Sequence, residues 1–218
     1  MKKIRVPLFL VPLILVLPLL AASLQGCVEM AVVGAAGTTA ALSIADRRTT
    51  GVQVDDEGIE LRASNRVSER FGDRVHVNIT SYNRNVLVTG EVPDANTKDE
   101  IEKMIQSVPS VRGVTNDLQV AGGASLTSRA NDATITGKVN ARLFDSGKLN
   151  PIHVKVVTEA SVVYLLGIVT DGEATEAVEV ARTTGGVRKV VKVFEYCKPT
   201  DAACARGATP EAPKKSGT

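Results

Sequence analysis

The sequence predicts an α+β protein made of two small tandem domains, each running helix, strand, strand, helix, strand (αββαβ). Three observations carry this reading. First, the chain repeats itself: Val75-His76-Val77 precedes Val86-Leu87-Val88-Thr89-Gly90-Glu91-Val92, and Ile152-His153-Val154 precedes Val163-Tyr164-Leu165-Leu166-Gly167-Ile168-Val169, with 14 residues from His to Gly in both copies. Second, the apolar period within each copy switches between helical spacing and strand alternation in the same order. Third, aromatics make up 3% of the chain and Trp is absent while 44% is hydrophobic, so cores must be built from Val, Leu, Ile and Ala, which suits small domains.

Helical spacing predicts a first helix over 59–71, with Leu61, Val67 and Phe71 on one side and Arg62, Arg66 and Arg70 on another. Alternation predicts strands over 75–80 and 85–92 around a turn at Tyr82-Asn83-Arg84. Pro93-Asp94 ends the second strand, and Thr97 is placed to cap a helix holding Ile101, Met104 and Ile105, which Val108-Pro109 stops. Residues 113–120 supply the third strand. The second copy repeats the order, with a helix over 131–144, strands over 152–158 and 161–169, a helix over 173–182 and a strand over 187–194.

Ahead of the repeat, Lys2, Lys3 and Arg5 lead into an apolar run that closes on Leu24-Gln25-Gly26-Cys27. A basic start, an apolar middle and small residues before a cleavage point mark a secretory signal. A cysteine just behind that point marks a bacterial lipoprotein, because its thiol accepts a diacylglyceryl group before the leader is removed. Gln25 stands where such motifs carry a small residue. A retained transmembrane helix is the competing reading, since about 20 apolar residues can cross a bilayer. Pro7, Pro12 and Pro18 oppose it, each removing a backbone donor that an isolated helix in lipid cannot replace.

The expected organisation is therefore a signal peptide over 1–26, the lipidated Cys27 with a flexible Ala-, Gly-, Thr- and Ser-rich tether over 27–50, a first domain over 51–121, a second over 122–196, and a disordered Pro- and Lys-containing tail over 197–218. Losing Lys2, Lys3 and Arg5 takes the 26 basic residues to 23 against 24 acidic ones, so the mature chain is nearly neutral and nucleic acid is not an expected partner. The two copies differ in charge. Residues 55–120 hold 12 acidic and 8 basic side chains, residues 125–196 hold 8 and 9.

No catalytic set emerges, and neither a cofactor nor a metal site is expected. His76 and His153 lie at equivalent strand positions between apolar neighbours, which places them on the solvent side, and no metal-spaced Cys, Asp or Glu cluster accompanies them. Asp55-Asp56-Glu57 reads as the acidic start of a helix. Cys197 and Cys204 either close a small loop in an oxidising compartment or stay free. Gly90 and Gly167 read as positions where a helix lies tight on the sheet.

The second copy carries the candidate site. Only this copy can approach an anionic lipid surface without opposing net charge, where each Lys or Arg contributes roughly 1 kcal/mol. On its first helix Lys138 and Arg142 are four apart and share one side, Leu143 and Phe144 are adjacent apolar residues near the helix end, and Lys148 follows.

The apolar strands ending in Gly90 and Gly167, the Val92 and Val169 that follow, and the closing Val111-Arg112-Gly113-Val114 and Val187-Arg188-Lys189-Val190 resemble the BON domain in both copies. That resemblance implies a three-stranded mixed sheet packed on two helices. Two such domains behind a lipidation motif resemble a group of dual-BON outer-membrane lipoproteins, and Val28, in place of aspartate, resembles lipoproteins passed on to the outer membrane. What the resemblance implies is a non-enzymatic lipoprotein anchored at the periplasmic face of the outer membrane. Its second domain would bind anionic phospholipid such as phosphatidylglycerol, and it would support envelope integrity and gather at the division site. Thr134 stands where that group carries an aromatic residue. Two other functions are weighed beside it: an adaptor for an envelope assembly machine without specific lipid recognition, and an osmotically induced module binding a small ligand.

Overall fold

The structure, a computed structural model, describes residues 46–122 and 126–206; the leader, Cys27, most of the expected tether and the last part of the tail lie outside the described residues. Each repeat grows from a long helix whose buried side chains recur every three or four residues. Helix α1 (Thr50–Phe71) is capped by Thr49, whose side chain accepts the Val52 N–H, and buries Asp56, Ile59, Ala63, Val67 and Phe71. It starts earlier than the expected residue 59, so Asp55-Asp56-Glu57 lies inside the helix instead of at its start. Leu61, expected beside Val67 and Phe71, is 64% exposed, because a six-residue offset does not return to the same face.

Strand β1 (His76–Tyr82) pairs antiparallel with β2 (Asn85–Val92). Helix α2 (Ala95–Gln106) follows, capped by Asp94, which accepts the Thr97 N–H; the expected cap, Thr97, is instead inside the helix. The expected strand 113–120 is broken into β3 (Gly113–Asn116) and β4 (Gln119–Val120), both parallel to β2, because Leu118 turns inward and is buried. The second repeat has α3 (Leu126–Ser146), β5 (Val154–Glu159), β6 (Val162–Val169), α4 (Asp171–Arg182) and β7 (Lys189–Tyr196), in the sheet order β5-β6-β7. Thr170 and Glu173 form a reciprocal capping box at the start of α4. Each repeat packs its two helices on one face of its sheet around a separate aliphatic core, Ile59, Val88 and Ile101 in one and Val139, Leu165 and Ala177 in the other.

Both hairpins turn through two residues at positive φ, Asn83 (52°) with Arg84 (65°) and Ala160 (48°) with Ser161 (62°). Such turns match the strand twist but are unfavourable without glycine. A helix-borne aspartate holds each one. Asp56 accepts the Asn83 N–H at 2.9 Å, the Arg84 N–H at 2.7 Å and the Ser81 hydroxyl at 2.6 Å. Asp132, at the equivalent point of α3, accepts the Ala160 N–H at 3.0 Å and the Ser161 N–H at 2.8 Å. Gly90 and Gly167 are required by strand pairing, not by a helix resting on them: a Cβ there would overlap the carbonyl oxygens of His76 and His153.

The two sheets pack on each other through the faces their helices leave bare. Tyr82 and Leu87 of the first domain bury against Tyr164, Leu166 and Ile168 of the second. Polar groups ring this seam. The Tyr164 hydroxyl donates to Asp117 at 2.7 Å, Asn83 and Asn85 donate to Glu195 at 2.8 Å, and Lys155 meets Glu60 at 3.1 Å.

Residues expected as tether and tail also fold here. Asp46 and Arg47 are buried. Arg47 bonds the Ile168 carbonyl at 2.8 Å and Glu173 at 2.6 and 3.0 Å, both in the second domain. Arg48 bonds Asp46 and Asp56 and lies 4.1 Å above the Tyr82 ring, in the first. Thr49 to Arg48 and Arg47 is thus a strap across both domains. At the other end Cys197 and Cys204 are joined as a disulfide, Cys197 and Ala203 pack on the seam cluster, and Cys204 in α5 (Ala202–Ala205) is buried, so 197–206 is ordered structure instead of a disordered tail.

The expected solvent-side placement fails for His153, while His76 is half-buried. His153 lies in a 3₁₀ turn (Pro151–His153), is buried, and has Nδ1 3.3 Å from Glu173. His76 Nδ1 is 3.0 Å from Glu91. Burial opposes ionisation of Glu173, but hydrogen bonds from His153, Arg47 and Thr170 outweigh it and hold the carboxyl well below the usual carboxylate range.

Asp56→Ala removes the acceptor of two turn N–H groups and of Arg48, and an unfolding free energy lower by about 3 kcal/mol is expected from urea titration; a loss under about 0.5 kcal/mol would show that the turn holds itself. Because the folded Glu173 carboxyl is depressed, its stabilisation is complete above the unfolded value near 4.3 and is lost as pH falls below it. Urea unfolding should therefore separate wild type from Glu173→Gln at pH about 7, with the gap closing steadily below pH about 5. A gap independent of pH would contradict this account.

Candidate functional site

Helix α3 lies on the side of its sheet away from the seam, with Ile135, Val139 and Leu143 against the core. That register decides the fate of the six candidate residues. Leu143, expected at the lipid surface, is fully buried, since it sits four residues beyond Val139 on the core stripe. Phe144, one position on, is thrown outward and is 73% exposed. The adjacent apolar pair is thus divided between core and solvent by 100° of helix rotation.

Thr134, Lys138 and Arg142 all remain exposed along one margin of the helix. Thr134 donates its hydroxyl to the Ala130 carbonyl at 2.9 Å, so its polarity is satisfied within the helix. Arg142 is committed: its guanidinium donates to the Val180 carbonyl at 2.9 Å, Thr184 Oγ1 at 2.7 Å and Thr183 Oγ1 at 3.0 Å. It satisfies the C-terminal end of α4, where a cation is favoured by the helix dipole. Lys148 pairs with Glu176 at 3.1 Å but stays 70% exposed. Neither Lys138 nor Arg142 forms an ion pair with the described residues, and of the three basic candidates only Lys138 makes no side-chain hydrogen bond to them either.

Sequence reasoning missed what surrounds Phe144. Ala130, Ala133, Gly137, Ala141 and Phe144 follow alternating three- and four-residue spacing and share the exposed face of α3. The face is low and apolar with one aromatic projecting from its last turn, and Lys138 and Arg142 edge it. The periodic small residues were the available signal. The first domain differs here: its equivalents of Phe144 and Gly137 are Ser68 and Leu61, and exposed Glu57 stands where α3 has Ala133, while exposed Glu69 and Asp145 correspond to each other.

Tandem αββαβ units, each a mixed sheet packed on two helices, define a class of small α+β modules. This chain belongs to the BON domain family, which matches residues 55–122 and 131–198. Within that class it is a DolP-like dual-BON protein: it is 39% identical over 175 residues to the outer membrane lipoprotein DolP of Haemophilus influenzae, covering 79% of this chain and 90% of that one. It is also 29% identical over 153 residues to the 21 kDa hemolysin of Actinobacillus pleuropneumoniae, covering 69% of this chain and 79% of the relative. A solved structure of CdsD, a structural protein of the type III secretion system of Chlamydia trachomatis, aligns with a TM-score of 0.27 at 12% identity, over 63% of this chain and 91% of that one, a likeness too slight to bear on the fold. Among the described residues no helix is long and apolar enough to cross a membrane.

The division of roles on α3 predicts opposite stability effects. Arg142→Ala should lower the unfolding free energy by about 1–2 kcal/mol through the uncapped end of α4. Phe144→Ser should leave it within about 0.5 kcal/mol of wild type. Thermal or urea unfolding of both variants checks this, and a large loss at Phe144 would mean that the ring packs against the body of the protein.

Proposed function

We propose that this chain is an outer-membrane lipoprotein, held by acyl chains on Cys27, that lays the outer face of α3 on anionic phospholipid such as phosphatidylglycerol and so supports envelope integrity. The observation that carries the reading is Phe144, 73% exposed on a face of small residues beside the unpaired Lys138. A large exposed aromatic on a soluble domain marks an interaction site when the surrounding surface admits a partner, and a flat small-residue helix face lets a ring reach the interface between headgroups and acyl chains. Similarity to a protein named as an outer membrane lipoprotein supports the location. The leader and Cys27 support the anchor, which two or more acyl chains make stable. The role proposed is binding, not catalysis, and gathering at the division site is part of the same proposal.

The structure changes how the proposal is tested, because reversing Arg142 would disturb α4 as well as charge. The chain from Val28 onward, free of acyl chains, is instead compared with its Lys138→Glu and Phe144→Ser variants on vesicles with and without phosphatidylglycerol, at two salt concentrations. Binding is expected only with the anionic lipid, weaker at high salt, and reduced by about fivefold or more at Lys138, in line with roughly 1 kcal/mol per surface cation. Phe144→Ser should lose binding at both salt concentrations. Unchanged binding by both variants, or none by wild type, would move the function to an adaptor for an envelope assembly machine.

A further inference from the structure

We propose that the seam between the two domains holds a divalent transition-metal site formed by His76, Glu91 and Glu159. One ligand atom from each of the three lies within 4.8 Å of the others. His76 and Glu91 come from paired positions on β1 and β2 of the first domain, and Glu159 from the end of β5 in the second. Glu91 and Glu159 are 7% and 6% exposed, and two carboxylates buried side by side are unfavourable without a compensating cation. His76 faces Glu91, but the only hydrogen bond to Glu159 among the described residues is from the neutral amide of Asn78, at 2.6 Å.

Comparison of the repeats shows that neither acid is demanded by the fold. The second repeat has Ile168 where the first has Glu91, opposite its own histidine, and the first has Tyr82 where the second has Glu159. Each acid belongs to one repeat alone, and domain packing brings both to one imidazole. Other charged groups nearby are otherwise placed. Arg129 of α3 lines the adjoining cavities but forms no ion pair with either carboxylate, and Arg74 is turned onto the carbonyls of Phe71 and Arg70.

One imidazole and two carboxylates are a donor set suited to zinc, with the remaining position open to water. Tetrahedral zinc places its ligand atoms roughly 3.4 Å apart, so modest side-chain rotation from the observed spacing closes the site. A cavity of 620 Å³ lined by His76 and Glu91 gives an ion its approach and its water ligand room. Asn78 orients Glu159 from behind, as groups beyond the ligands do in metal sites. A cation there would tie the domains together at a point the apolar seam does not reach.

The test uses the mature, acylated chain in detergent with its disulfide intact, stripped with chelator and then dialysed against zinc chloride with elemental quantification. One zinc per chain is expected, with affinity reduced at least tenfold by His76→Gln and by Glu159→Gln, about tenfold by Asn78→Ala, and not by His153→Gln. Zinc should also raise the unfolding temperature of wild type but not of Glu159→Gln. The wild-type stoichiometry is read without any variant. No binding at millimolar zinc, or stoichiometric binding that survives both ligand substitutions, overturns the proposal.

Discussion

Central strands that are buried on both faces govern this molecule. In β2 and β6 every residue after the first is buried, yet two helices can cover only one side of a three-stranded sheet. The uncovered side must find another surface, and each domain supplies it to the other. Tyr82, Leu87, Tyr164, Leu166 and Ile168 accordingly form a third core between the sheets. The arrangement resembles a sandwich in which each sheet carries its own helices outside, with α1 reaching the second sheet through Glu60 to Lys155 and α3 bordering the first beside His76 and Asn78.

The ends of the folded region follow from the same seam. Arg47 reaches the second domain and Arg48 the first, so the strap joins both where the chain enters the fold. Buried guanidinium groups are stabilised by charged partners: Glu173 pairs with Arg47, and Asp46, Asp56 and the Tyr82 ring hold Arg48, while Arg47 Nε is left without a hydrogen bond among the described residues. At the far end the disulfide holds residues 197–204 against the cluster formed by β6. Both termini of the described region therefore reinforce packing that a pair of flexibly linked domains would not need.

Duplication has kept the scaffold and changed the surface. Asp56 and Asp132 hold equivalent turns, and Gly90 and Gly167 accept equivalent carbonyls. These positions serve the fold and so recur. The copies diverge on the helix surface, Ser68 against Phe144, and at the seam, where each sheet meets a different partner, Ile168 against Glu91 and Tyr82 against Glu159. Function in such modules lies in those divergent positions, and both the proposed lipid face and the proposed metal site are made of them.

By itself the sequence determined the fold class, the repeat and the order of the strands and helices, because these depend on local period and punctuation that each repeat states twice. Of the six candidates it named, Lys138 and Phe144 are exposed and make no ion pair or hydrogen bond through their side chains with the described residues. It did not separate Leu143 from Phe144, since two adjacent apolar residues at a helix end are equivalent until the core chooses a rotation. Nor did it find the strap at 46–48, the ordered disulfide segment, or the partners of the histidines. Those depend on residues far apart in sequence, Arg47 with Glu173 and His76 with Glu159, and they meet only because two bare sheet faces had to be buried against each other.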